Sequence, residues 1–483
     1  MSEKNLKYRV MSGLFWKFAE RISAQLVSAV VTIILARLLM PEDYGAISLV
    51  TIFITLANVF VSDGFGTSLI QKKDADNIDF STVFYFGLAF SIGLYVLMYI
   101  FVAPGIAEFY DMPILIPVFR VLAIRIPIAA INSVQQAYVA RHMIFKHFFF
   151  ATIIGTIISA FIGIAMAYLE MGIWALVAQY LTNTIIDTII LWITVRWKPQ
   201  LKFSFSRLKD LFGYGWKLLL QSLLVTLYAN VRSLVIGKAY SAQDLAYYDK
   251  GSYYPNLIVT NVDTAMSSAL FPAMSKEQQS LQRIKDIARR ATKLSSYIMS
   301  PLLIGFFACA ENFVAVLLTS KWMPIVPILR VICMNLLFRS AQTAALQAIK
   351  AIGRSDLVLK MDIPIRVFGL TTLLITMRFG ITYIAVSELM VGLFGIILYS
   401  NVCGRVVGYK PREVFCDFGK NVFHAFAMGV IVFCFGKVSP WPNTITLLAQ
   451  IILGGGSYLL ISFVCGNENY CYLVKELKRL MHR

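Results

Sequence analysis

Charge is scarce in this chain. Only 14% of its 483 residues are Asp, Glu, Lys or Arg, where a soluble domain carries about 25%. With 58% hydrophobic residues and a mean hydropathy of +0.71, the shortfall excludes an ordinary soluble fold. Segments of alternating polarity ~10 residues long are also missing, which excludes a membrane β-barrel. There are just four histidines, and no GxGxxG on a strand, P-loop or HExxH occurs. No catalytic constellation and no metal site can be assembled, so an enzyme finds no support. Cys309, Cys333, Cys403, Cys416, Cys434, Cys465 and Cys471 show no CxxC spacing and sit mostly in apolar runs. They read as small buried hydrophobes, leaving zinc and redox chemistry without a basis.

What is present is a succession of apolar runs near 20 residues, the mark of an all-α polytopic membrane protein. About fourteen transmembrane helices are expected, the first at 13–36, the eighth at 247–272, the eleventh at 357–377 and the last at 444–465. Pro255 and Pro364 fall inside spans and are expected to kink or loosen them. The opening "MSEKNLKYRV" is basic, but the segment after it is interrupted by charge and lacks a small-residue cleavage site. It reads as a retained first span rather than a removed signal peptide.

The net charge of +18 is topological. With the N-terminus inside, the cytoplasmic connections and both tails collect about 29 of the 44 basic residues, as the positive-inside rule requires. The N- and C-termini are therefore expected on the cytoplasmic side, and nucleic acid is not an expected partner. The basic connection 196–210 alternates Leu201, Phe203, Phe205 and Leu208 with Lys202, Arg207 and Lys209. It fits either an interfacial segment on anionic headgroups or a plain solvated loop.

The chain repeats itself. "GLFWKFAERIS" from Gly13 matches "GYGWKLLLQSL" from Gly213, aligning Trp16 with Trp216 and Lys17 with Lys217. Three more matches follow in the same order: 35–48 with 236–249, "PVFRVLAIR" (117–125) with "PILRVICMN" (327–335), and 169–178 with 377–387. The expected organisation is an N-terminal six-helix lobe at 1–195, a basic cytoplasmic linker at 196–212, and a C-terminal six-helix lobe at 213–402. An extra helix pair and cytoplasmic tail occupy 403–483. Both lobes start inside, so the repeats are parallel. Two-lobed designs of this kind hold substrate between the lobes and alternate access by rocking.

"ILARLLMPEDYGAISLV" (34–50), "SDGFGTSLIQKKD" (62–74) and "FPAMSK" (271–276) carry a family likeness. The chain resembles the Wzx-type polysaccharide flippases of the multidrug/oligosaccharidyl-lipid/polysaccharide (MOP) exporter superfamily, near the colanic and teichuronic acid exporters. The resemblance spans essentially the whole chain. It implies a bacterial inner-membrane flippase that moves an undecaprenyl-diphosphate-linked oligosaccharide to the periplasmic leaflet. Lipid-linked oligosaccharide, membrane lipids and polysaccharide polymerase or export machinery would be the partners. It also implies that the first helix of each lobe lines a central cavity. A cation-coupled drug antiporter of the same superfamily is the alternative, with about twelve spans and an acidic cavity. A membrane glycan polymerase is a third reading, against which the outside links are short.

Ionised groups inside a bilayer cost roughly 2.5–3.5 kcal/mol each on insertion scales and mark function or structural pairing. The basic candidates are Lys17, Arg21, Arg125, Lys217, Arg232 and Arg339, suited to a diphosphate. Lys17 and Lys217 are also close enough to their span starts to snorkel. Arg120 and Arg330 fit interface anchors or interhelical hydrogen bonding, and Arg366 is expected to pair with Asp362. Among the acids, which include Asp63 and Asp263, Asp187 and Glu388 lie mid-span in the last helix of each lobe. They are candidates for coupling to a proton or sodium gradient, as is Glu20, which can pair with Lys17 or Arg21. No other cofactor is expected.

Overall fold

A computed structural model describes residues 3–72 and 74–481; the side chain of Asp63 lies outside what it describes. Among the described residues all regular structure is helical. The first half runs α1 (Glu3–Leu38), α2 (Pro41–Gln71), α3 (Asn77–Leu97), a π-helical turn (Met98–Val102), α4 (Ala103–Phe109), α5 (Leu115–Leu122), α6 (Arg125–His142), α7 (Lys146–Tyr168) and α8 (Ile173–Thr194). The second half repeats this order. It has α9 (Phe205–Ala239), α10 (Ala242–Lys276), α11 (Leu281–Phe313), a π turn (Val314–Leu318), α12 (Ile325–Leu336), α13 (Arg339–Ala351), α14 (Ser355–Thr376) and α15 (Ile381–Val406). Then follow α16 (Pro411–Val438), α17 (Asn443–Val464) and α18 (Glu468–Met481).

Among the described residues, twelve helical segments are long and apolar enough to cross a membrane. The two remaining expected spans are helices as well, α10 and α14, but Asn256, Asn261 and Asp263 make the first too polar and Lys360, Asp362 and Arg366 put three charges into the second. The helix α10 continues through Pro255 and Pro272, and α14 through Pro364. None of the three prolines ends its helix.

The repeat is built into the backbone. Each half has one π turn and one span broken in two, α5–α6 and α12–α13. The first break lies one turn before Pro127, which has no N–H to offer the preceding turn. At the second, Asn335 approaches Gly392 of α15 so closely that a Cβ there would lie 2.0 Å from its Oδ1. The aligned arginines do the same work. Arg120 Nε donates to the Tyr99 carbonyl at 3.3 Å with its guanidinium 4.3 Å from that ring. Arg330 Nε donates to the Phe307 carbonyl, also at 3.3 Å, and lies 5.4 Å from the Phe307 ring. Arg120 thereby ties α5 to the π turn itself, and Arg330 ties α12 to α11, the helix before its π turn.

Contacts divide the chain into two compact units, Met1–Ala246 and Tyr247–Arg483. The unit boundary differs from the repeat boundary, because α9 packs on α2 within the first unit. Gly45 of α2 permits this: a Cβ there would lie 1.7 Å from the Ala242 carbonyl oxygen. In the same unit α1 packs on α7, α7 on α8 and α8 on α6. One end of the unit is closed by the strap 196–204. Trp197 is buried among Phe80, Phe84, Val134 and Leu191, Gln135 donates to its carbonyl at 3.1 Å, and the Gln200 and Ser204 amides donate to the hydroxyls of Ser81 and Thr82. So the strap is neither a free loop nor wholly interfacial: it is pinned, while Leu201 (94% exposed) and Phe205 (73%) point away.

In the second unit α11 packs on α16, and α15 on α12, α13 and α14. An ionic ladder joins the first pair. Lys285, Arg289 and Lys293 recur every four residues on α11, facing Glu413 and Asp417 on α16. Of the cysteines, Cys309, Cys333 and Cys403 are buried, whereas Cys416, Cys434, Cys465 and Cys471 are exposed. The expectation of buried hydrophobes thus holds for three. The other four stand on outward helix faces or beyond α17, where a thiol meets no packing demand.

Candidate functional site

Two polar seams cross otherwise apolar helices, one in each unit. In the first, Lys17 and Glu20 pair along α1 at 3.0 Å, and the ammonium also sits 5.1 Å from the Phe148 ring of α7. Glu20 Oε1 accepts from the Thr152 hydroxyl of α7 at 3.4 Å. One turn further along α7, Gly155 lets α8 approach: a Cβ there would meet the Asn183 carbonyl and the Asp187 amide at 3.3 and 3.4 Å. The Asp187 carboxylate accepts from the Asn132 amide of α6 at 2.8 Å. Arg125, at the start of α6, donates from Nε to the Thr184 hydroxyl at 2.9 Å with the Tyr180 ring 5.5 Å away. Tyr180, Thr184 and Asp187 fall at helical spacing on one face of α8. The seam therefore holds Lys17 with Glu20 against α7, and Arg125 and Asp187 by separate polar bonds about one turn apart on α8.

Arg21 stands apart from it. The residue is half-buried about two turns into the apolar part of α1 and makes no hydrogen bond or ion pair among the described residues. Lys217 and Arg232 are on α9, Lys217 exposed and Arg232 half-buried. The repeat does not carry its contacts over at this point. Gly13 packs against Phe145, a Cβ there lying 2.9 Å from that ring, whereas a Cβ at Gly213 would meet nothing within 4 Å.

The seam of the second unit joins α10, α13, α14 and α15. Arg339, at the start of α13, donates to Asp263 of α10 at 3.1 Å, and the Thr343 hydroxyl donates to the other oxygen of the same carboxylate. Glu388 accepts from the Tyr248 hydroxyl at 2.7 Å. Asp362, expected opposite Arg366, accepts from the Tyr399 hydroxyl at 2.9 Å. Thus Arg125 and Arg339 both open the second half of a broken span and both are held by a polar partner. Asp187 and Glu388 each accept from a neutral side chain. The sequence reading missed those neutral partners, Asn132, Thr152, Thr184, Tyr248 and Thr343; the four-residue run Tyr180–Thr184–Thr188 was the one visible signal. Among the described residues no three metal-ligating side chains come together.

These helices, breaks and seams define a class. The chain has the fold of lipid II flippase MurJ in its inward closed conformation, with a TM-score of 0.74 at 14% identity over 96% of this chain and 100% of that one. An inward-facing multidrug resistance MATE-family transporter of the MOP superfamily shares it too, with a TM-score of 0.60 at 16% identity over 83% of this chain and 95% of that one. Within this class the chain belongs to the polysaccharide biosynthesis protein family, whose model matches residues 34–327. Among its relatives, the teichuronic acid biosynthesis protein TuaB of Bacillus subtilis (strain 168) is 24% identical over 429 residues, 88% of either chain. The Wzx-type resemblance read from the sequence is borne out. The chain is a multi-pass membrane transporter of polysaccharide biosynthesis rather than an enzyme, in bacteria an inner-membrane protein.

Proposed function

We propose that the protein carries an undecaprenyl-diphosphate-linked oligosaccharide from the cytoplasmic to the periplasmic leaflet for surface polysaccharide assembly. It does so by alternating access, with its N- and C-terminal tails in the cytoplasm. Arg21 carries this reading. A guanidinium at that depth costs several kcal/mol unless an anion or water meets it, and a diphosphate is the anion that forked donors fit best. Lys17, Lys217 and Arg232 would extend the basic path. Arg125 and Arg339, already held by Thr184 and by Asp263 with Thr343, would meet substrate only after exchanging those partners.

The MurJ likeness in fold and the teichuronic acid relative support a lipid-linked glycan over a drug as cargo. The helix count does not favour the antiporter, because α16 and α17 are among the twelve apolar segments. Those two helices are the extra pair that a twelve-span antiporter would lack.

The test is Arg21→Gln in cells. Surface polysaccharide should fall at least tenfold, lipid-linked precursor should accumulate, and the protein's membrane level should stay normal, while Arg21→Lys retains part of the export. Full export by both Arg21→Gln and Arg339→Gln would refute the basic-path reading.

A further inference from the structure

Where α11 and α18 meet, the second unit holds a recess of about 490 Å³ that none of the proposed transport residues lines. Asp286, Arg289, Arg290 and Lys293 of α11 and Glu468, Asn469 and Tyr472 of α18 line it. The basic groups differ in what already holds them. Arg289 is committed to Asp417 through two bonds of 2.6 and 3.2 Å. Lys293 reaches Glu468 at 2.8 Å and Asp417 at 3.7 Å. Arg290 lies 4.3 Å from the Tyr472 ring and makes no ion pair among the described residues. Asp286 accepts from Gln282 at 3.1 Å.

Glu468 shows what the recess prefers. Its side chain is 76% exposed, yet its carboxyl is held below the usual range by the Lys293 bond first, with Lys420 and Arg289 adding to the effect. A carboxylate of the chain itself therefore occupies an anion-favouring position. The apolar surroundings name the source of a competing anion. Four-residue steps along α11 lead from Arg290 to Leu294, Ile298 and Leu302, the last two 44% and 48% exposed. On α17, which packs against α11, Leu459 and Phe463 are likewise outward, 53% and 66% exposed. Twelve residues of helix cover about 18 Å, close to the length of an extended acyl chain. A basic recess at the head of such a stripe fits a lipid, not a free ion.

We propose that this recess binds the phosphate headgroup of an anionic membrane phospholipid, which displaces Glu468 from Lys293 and lays an acyl chain along Leu294, Ile298 and Leu302. The experiment uses the full chain in detergent, with native mass spectrometry counting retained lipid as phosphatidylglycerol is titrated. Parallel titrations use phosphatidylcholine and inorganic phosphate. Wild type should hold one phosphatidylglycerol in preference to phosphatidylcholine. Arg290→Gln should weaken it about fivefold, the worth of one basic contact near a headgroup, and Glu468→Gln should tighten it by removing the competing carboxylate. Both side chains are exposed, and unchanged gel-filtration profiles confirm the fold. Equal retention of the two lipids, displacement by inorganic phosphate at the lipid's own potency, or weaker binding by Glu468→Gln would each overturn the proposal.

Discussion

Replacing Asp417 by alanine should destabilise the second unit more than any other break in the α11–α16 ladder. The carboxylate is 5% exposed and accepts three hydrogen bonds, two from Arg289 and one from the Tyr409 hydroxyl at 3.1 Å. Tyr409 is itself 1% exposed, so the alanine variant strands a buried hydroxyl, which costs about 1–3 kcal/mol. Removing one member of a buried ion pair costs about 3–5 kcal/mol, but Arg289 is 42% exposed and water can recover it. The net expectation is a loss of about 2–4 kcal/mol. Glu413→Ala breaks the Lys285 pair, whose side chains are 19% and 29% exposed, and should cost about 1 kcal/mol or less. Glu468→Gln, at the exposed end, should cost almost nothing. Reversible unfolding in mixed micelles of rising SDS content would rank the three. If Asp417→Ala falls within about 0.5 kcal/mol of Glu413→Ala, burial does not govern this ladder and the reasoning fails.

Gly45→Ala should sharply reduce the folded yield, because its Cβ would collide with the Ala242 backbone and overpacking costs about 1–3 kcal/mol even where side chains can give. Gly87→Ala, with open space around it, is the control and should express normally. If Asp187 or Glu388 couples transport to an ion, Asp187→Asn or Glu388→Gln should abolish the dependence of export on the membrane gradient; unchanged dependence would remove that residue from the coupling scheme. The strap should loosen only in acid. The Arg207 guanidinium hydrogen-bonded to Asp76 holds that carboxyl below its ordinary value of 3.8. A lowered folded value means the pair stabilises above 3.8 and is lost as pH falls through the folded value. Exchange of the Gln200 and Ser204 amides should therefore be no faster at pH 5 than at pH 7, apart from the intrinsic pH effect.

Class, repeat and paired arginines were legible because each leaves a trace in one dimension: apolar length, recurring words, and charge where charge is costly. The apolar runs at 247–272 and 357–377 already marked α10 and α14. The partners were not legible. Thr152, Asn132 and Tyr248 disturb no hydropathy window, and whether each meets a carboxylate depends on how neighbouring helices are rotated. The same gap covers Asp362, which accepts from Tyr399, 37 positions away, a partner that no local spacing announces. Trp197 was another omission. Amid basic residues it looks like connecting chain, yet it fills the core below Phe80 and Phe84. The three identities shared from Gly13 and Gly213 also show that a repeated motif need not carry the same contact.

The two π turns, Met98–Val102 and Val314–Leu318, bear on how the chain tolerates insertions and deletions. Such a turn holds one residue more than the α-helix needs. Deleting a residue there lets the turn tighten to ordinary α-geometry, with Arg120 or Arg330 still meeting its carbonyl. The same deletion two turns away, in the regular part of α3 or α11, rotates everything beyond it by about 100° and turns lipid-facing side chains onto the neighbouring helices. Length variation among related chains should therefore collect at these two points, in both halves alike.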